Sequence, residues 1–117
     1  MNNFQPSDPN YESRIRSSFD KQEVNKTIGA KLVKVLPGEV HIEFSFIESL
    51  TQQHGYIHGG IIASVVDSAC GYAAYTLMSA DSEVLTIEYK VNFMSTAKGD
   101  RFKGIGRVLN SSLRDNL

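Results

Sequence analysis

Cysteine occurs once in this 117-residue chain, at Cys70, and histidine only three times. A single cysteine excludes an internal disulfide and a cysteine-rich zinc site, and it fits a reducing compartment. His54 and His58 lack a third ligand at a sensible spacing, so no metal is expected. Neither sign of charge dominates. The formal net charge is −1 and the isoelectric point about 6.3, which leaves no general nucleic-acid footprint. Long apolar runs are also missing. The longest nearly apolar stretch, residues 57–80, is interrupted by His58, Ser64, Asp67 and Ser68, so it reads as a buried helix and not a membrane span. The opening MNNFQPSDPN has neither a basic nor an apolar signal region, and the expected location is the cytoplasm. No P-loop, dinucleotide fingerprint or serine nucleophile elbow is present. With 41% apolar and 21% charged residues, disorder and collagen-like repeats are excluded, and one domain over 1–117 is expected.

What remains is patterned. Residues 1–20 read as a flexible segment followed by a short helix over about 9–20, with Asp8 or Ser7 as N-cap and Tyr11, Ile15 and Phe19 on one stripe. A hairpin follows: Ala30 to Leu36, the turn Pro37-Gly38, then Val40, Ile42, Phe44 and Phe46 alternating with Glu39, His41, Glu43 and Ser45. The alternation predicts one dry and one wet face, with His41 a surface residue of no chemical role. After a polar loop, a helix is expected from about Gly59 to Ser79. Its strongest stripe is Ile62, Val65, Val66, Ala69, Ala73 and Leu77, and its opposite side is small, so it should be wrapped on every side. Leu85 to Phe93 and about Arg101 to Leu109 read as two more strands, with 110–117 as a tail. Antiparallel strands around one helix indicate an α+β fold. Such a thin core often completes itself by oligomerisation.

Chemistry concentrates in Gln52-Gln53-His54-Gly55-Tyr56-Ile57-His58-Gly59-Gly60, with Asp67 seven residues on. Gly59 and Gly60 stand where the loop enters the helix. Amides there lack intrahelical partners and sit at the positive end of the dipole, and glycine lets a carbonyl approach closely. The pair is either an oxyanion-stabilising site or simply a tight turn into the helix. Asp67 falls two turns into an apolar helix, where an unpaired carboxylate costs several kcal/mol. It therefore points into a polar cavity or across an interface, as general base or nucleophile, or else it is a structural carboxylate bonded to backbone or to Lys90. Cys70, one turn on, reads as a packing residue whose thiolate Asp67 suppresses. Residues 98–117 carry a net charge of +3, which suits an anionic ligand with a few phosphates or merely a solvated strand edge.

The segment LTQQHGYIHGGIIASVVDSACGYAA, followed by VLTIEYKVNFMSTAKGD, resembles the PaaI-type acyl-CoA thioesterases of the hot-dog superfamily, over about Phe19 to Val108. The resemblance implies a long central helix wrapped by an antiparallel sheet, in a homodimer or dimer of dimers with active sites at the subunit interface. It further implies hydrolysis of acyl-CoA to acid and CoA, with no cofactor because CoA is part of the substrate. In that scheme Gly60 N–H polarises the thioester carbonyl beside His58, and Gln52 places the water or carbonyl. Asp67 of the partner activates water or attacks directly. Thr86 matches a Ser/Thr near the carboxylate, although alternation sets it opposite Ile87 and Tyr89, away from the helix. Gly59 and His54 are expected to touch substrate, and Lys98, Arg101 and Lys103 to meet the CoA phosphates. Tyr56, Tyr72 and Tyr75 offer aromatic lining for a small to medium acyl group.

Family members continue past a segment like Gly106-Arg107-Val108 through a further long strand, which Asn110 to Leu117 does not resemble. A C-terminally incomplete sheet with unpaired backbone groups is therefore expected. That feature favours a second reading, a catalytically inactive protein that at most binds acyl-CoA. A third, a dehydratase or hydratase, would need a catalytic histidine paired with a carboxylate on the helix, and no histidine follows His58.

Overall fold

The computed structural model describes residues 4–78 and 100–109, and the backbone of 86–93 and 110. Four antiparallel strands form one sheet in the order β1-β2-β4-β3, with β1 Lys31–Leu36, β2 Glu39–Ser45, β3 Thr86–Phe93 and β4 Arg101–Asn110. One long helix, α3 (Gly59–Tyr75), packs on its inner face. Two short helices, α1 (Tyr11–Asp20) and α2 (Glu23–Ile28), precede the sheet, and α1 lies against β1 and α3. This is the expected α+β arrangement.

The alternation of β2 is realised by burial of Val40, Ile42 and Phe44 against the helix side. Phe44 stacks on Phe102 of β4 at 5.0 Å, and Val65, Ala69 and Ala73 complete the core from α3. What brings α3 so close is a pair of glycines in β4. A Cβ on Gly104 would lie 3.0 Å from Val65 Cγ1, and one on Gly106 would overlap the Ala69 carbonyl and sit 2.5 Å from the Cys70 nitrogen. The helix backbone rests directly on the strand there. Because Gly104 meets Val65 and Gly106 meets Ala69, α3 and β4 run in the same direction. The Arg101 end of the sheet is thus the end at which α3 begins.

Several expectations are corrected. β1 carries a register shift between Leu32 and Lys34, so Val33 is a bulge that breaks its period. β2 ends at Ser45, leaving Phe46 exposed. His41 lies on the outer face but is only 8% exposed, and it shares a hydrogen bond of 2.6 Å with Glu39 Oε2. The outer face is therefore not simply wet: Arg107 Nε also donates to Glu39, at 3.2 Å. Neither Asp8 nor Ser7 caps α1. Asp8 Oδ1 accepts from the Asn10 amide, and the Ser7 hydroxyl donates to the Leu77 carbonyl. Helix α2 was not foreseen; Gly29 ends it in the left-handed conformation (φ 76°).

α3 stops at Tyr75, short of Ser79, because its end is capped from outside. Arg14 Nη2 donates to the carbonyls of Tyr75 and Met78, and its guanidinium lies 4.4 Å from the centre of the Tyr75 ring. The Thr76 hydroxyl donates to Ala73 and accepts from the Gly38 amide, tying the hairpin turn to the helix end. β4 is hydrogen-bonded on both sides, to β2 and to β3, so the unpaired central backbone expected beside it is not found among the described residues. β4 itself includes Asn110, and the rest of the expected tail lies outside them.

Candidate active site

The loop into α3 is built by its own hydrogen bonds. The amide of Gln52 donates to the Tyr56 carbonyl and that of Gly55 to the Gln52 carbonyl, with Gly55 at φ 87° closing the turn. A bridge between Thr51 and Ile57 and a bond from the His58 amide to Leu50 seal its neck. Gln52 Oε1 accepts from the amides of His54, at 2.6 Å, and Tyr56, at 3.3 Å. Its carbonyl end is thus committed to the loop, and its Nε2 has no partner among the described residues. His54 and Tyr56 stand out into solvent on this loop, Tyr56 at 57% exposure.

His58 is the N-cap of α3, and its side chain does the capping: Nδ1 accepts from the Gly60 amide at 2.8 Å. A ring nitrogen that accepts carries no proton, so the neutral ring is protonated at Nε2. The His58 carbonyl takes the amides of Ile61 and Ile62. Of the four amides a helix start leaves open, three are therefore engaged. The fourth, Gly59 N–H, has no acceptor among the described residues, and beyond its chain neighbours and its own helix backbone no described atom lies within 4 Å of where its Cβ would stand. Gly60 N–H, expected to polarise a substrate carbonyl, is held by His58, and the open donor is one residue earlier.

Asp67 is exposed, with no hydrogen bond or ion pair among the described residues. Gly60, Ala63, Asp67, Gly71 and Tyr75 form an open stripe along α3, so among the described residues the helix is covered on the sheet side and not all round. Asp67 borders a cleft of about 180 Å³ with Gln22, Ser68, Gly71, Tyr72 and Tyr75. Tyr72 is buried and its hydroxyl shares hydrogen bonds with Gln22 and Ser18, whereas Tyr75 is half-exposed. Burial, with the Asp67 charge second, pushes the Cys70 thiol up from an ordinary 9.0 to about 11. Its thiolate is suppressed as expected.

Other expected residues are not brought to this place. Arg101 and Lys103 belong to the outer face, opposite Gly104 and Gly106, and Lys103 pairs with Glu43 at 3.6 Å. Lys98 lies outside the described residues. Thr86 opens β3 opposite Asn110, across a register shift from Ile87, so simple alternation from Ile87 does not carry to it. Gln22 at the cleft was missed, since a lone polar residue before a six-residue helix gives no periodic signal.

A model of the thioesterase superfamily matches residues 54–112, from the site loop through β4. A thioesterase family protein of known structure from Silicibacter pomeroyi is 45% identical, with a TM-score of 0.72 over 87% of this chain and 75% of that one. A protein of Saccharolobus solfataricus named as an esterase is 33% identical over 87% of this chain and 67% of its own length. The 1,4-dihydroxy-2-naphthoyl-CoA hydrolase of Listeria monocytogenes is 26% identical over 62% of this chain and 59% of its own. The chain thus spans about two thirds or less of these curated relatives. No helix among the described residues is long and apolar enough to cross a membrane. With its long helix laid on an antiparallel sheet and its site loop inside the matched segment, the chain belongs to the thioesterase superfamily and has the hot-dog fold.

Proposed function

We propose that the protein hydrolyses small to medium acyl-CoA thioesters to free acid and CoA. The observation that carries this reading is a Gly59 amide and an Asp67 carboxylate that have no partner among the described residues, the amide at the positive end of the 17-residue helix that carries both. A thioester carbonyl accepting from Gly59 N–H would have its developing negative charge met by a fixed donor and the helix dipole. Gln52, through Nε2, and His58, through Nε2–H, are the neighbouring donors for orienting carbonyl or water. The CoA hydrolase named among the relatives supports a CoA ester as substrate.

Eight residues of helix separate Gly59 from Asp67 by about 12 Å along the axis. One chain's Asp67 is thus poorly placed to attack a carbonyl held at its own Gly59. A two-fold axis passing near Ala63, halfway between them on the open stripe, would set each chain's Gly59 beside its partner's Asp67, because a two-fold contact is self-complementary. The catalytic unit in this reading is a homodimer, alone or within a dimer of dimers, and Asp67 acts across it as base or nucleophile.

Thiol release from a panel of aliphatic and aromatic acyl-CoAs tests the reading, using the parent chain and Asp67→Asn. Turnover by the parent that falls by about 10²-fold or more in the variant is expected. A folded parent without turnover on any ester would reject it, and equal turnover by both chains would reject the role of Asp67.

A further inference from the structure

The outer face of the sheet carries charge that these catalytic steps leave unused. Near the end where α3 begins, Lys31 of β1 and Lys103 of β4 flank Glu43 of β2, and Arg101 pairs with Ser45 one step further along. Lys103 neutralises Glu43. Lys31 and Arg101 have no ion pair among the described residues, and both are exposed. Two uncompensated cations thus border a cleft of about 130 Å³, together with Gly29, Glu43 and Ser45. Gly29 brings backbone to the rim without a side chain. Like charges gathered around one pocket repel, and an anion between them removes the repulsion.

Resting on the acyl-CoA reading, we infer that the Lys31–Arg101 cleft binds a phosphate group of the CoA nucleotide. Both cations can donate charge-assisted hydrogen bonds to phosphate oxygens, Arg101 through two parallel N–H groups. The Lys103–Glu43 pair keeps the nearby carboxylate from repelling the ligand. Lys31, remote in sequence from the basic segment, joins Arg101 only through the pairing of β1 and β4 with β2. The pantetheine arm would run round the end of the sheet from the cleft towards the start of a nearby α3.

The test uses one acyl group carried on CoA, on dephospho-CoA and on N-acetylcysteamine, with the parent, Lys31→Ala, Arg101→Ala and the charge-keeping Lys31→Arg. KM for the CoA ester is expected to rise about tenfold in each alanine variant and to stay near the parent value in Lys31→Arg. The N-acetylcysteamine ester, which has no phosphate, should show no such rise. If the effect disappears with dephospho-CoA the 3′-phosphate is bound, and if it persists the diphosphate is. An unchanged KM for the CoA ester, or an equal rise for the phosphate-free ester, overturns the site. If the parent cleaves none of the three, the hydrolase reading fails on its own. Calorimetric titration with CoA then decides the site: tenfold weaker binding by the alanine variants supports it, and equal or absent binding overturns it.

Discussion

At the residue scale, the difference between Gly59 and Gly60 is one hydrogen bond, and it can be tested without disturbing the helix. Gly59 is the first helical residue, a position that favours proline, and His58 before it has the extended backbone (ψ 135°) that a following proline requires. Gly59→Pro therefore removes one amide proton and little else. Thermal stability should change by less than about 1 kcal/mol while kcat falls about 10²-fold. Retained turnover would place the carbonyl elsewhere. Asp67 can be read independently through Cys70. Alkylation rate against pH should give a thiol near 11 in the parent, reacting slowly at neutral pH, and a lower value in Asp67→Asn as the charge is lost. No shift would mean that the carboxylate is not beside the thiol. On the outer face, burial raises the Glu39 carboxyl, but the hydrogen bonds and charges of His41 and Arg107 outweigh it and hold it below 4.5. Its contribution to stability is thus present above about 4.5 and lost as pH falls through the lower folded value. Denaturant midpoints measured from pH 6 to pH 3 should decline less in Glu39→Gln than in the parent, and parallel curves would contradict this.

At the element scale, β4 decides how deep α3 sits. Gly106→Ala drives a Cβ into the Ala69 backbone, which cannot turn aside as a side chain can, and should cost about 3 kcal/mol or more in chemical denaturation. Gly104→Ala meets a side chain, Val65, and should cost less. Equal, small losses would show that the helix can ride higher. The same strand marks what was legible in the sequence. Val40, Ile42 and Phe44 announced their strand because one face is dry, and the dense apolar stripe of α3 announced its helix. The Val33 bulge was hidden because one inserted residue looks like noise in a six-residue strand. α2 was hidden because six residues hold barely two helical turns. His41 looked wet because period two distinguishes faces, and its burial on the outer face comes with Glu39 beside it on the same strand and Ile105 opposite it on β4. At the site, the entry of HGG into α3 and the place of Asp67 on that helix were legible. Which glycine amide stays open was not, because histidine is an uncommon N-cap and its ring takes up the amide of Gly60 only in three dimensions.

At the scale of the whole molecule, the Gly60–Tyr75 stripe of the central helix is open among the described residues, and Gly59 and Asp67 stand about 12 Å apart along the axis, too far for the proposed chemistry within one chain. A site assembled from two chains resolves both facts. The decisive measurement mixes two inactive proteins. Gly59→Pro and Asp67→Asn chains, dissociated and reassociated together at equal amounts, form heterodimers in which one site carries both lesions and the other carries neither. Thiol release from an acyl-CoA should then recover to about a quarter of the parent rate from two nearly inactive components, as random pairing requires. No recovery, with heterodimers shown to have formed, would contradict a shared site and place Gly59 and Asp67 in the same chain's chemistry or in none.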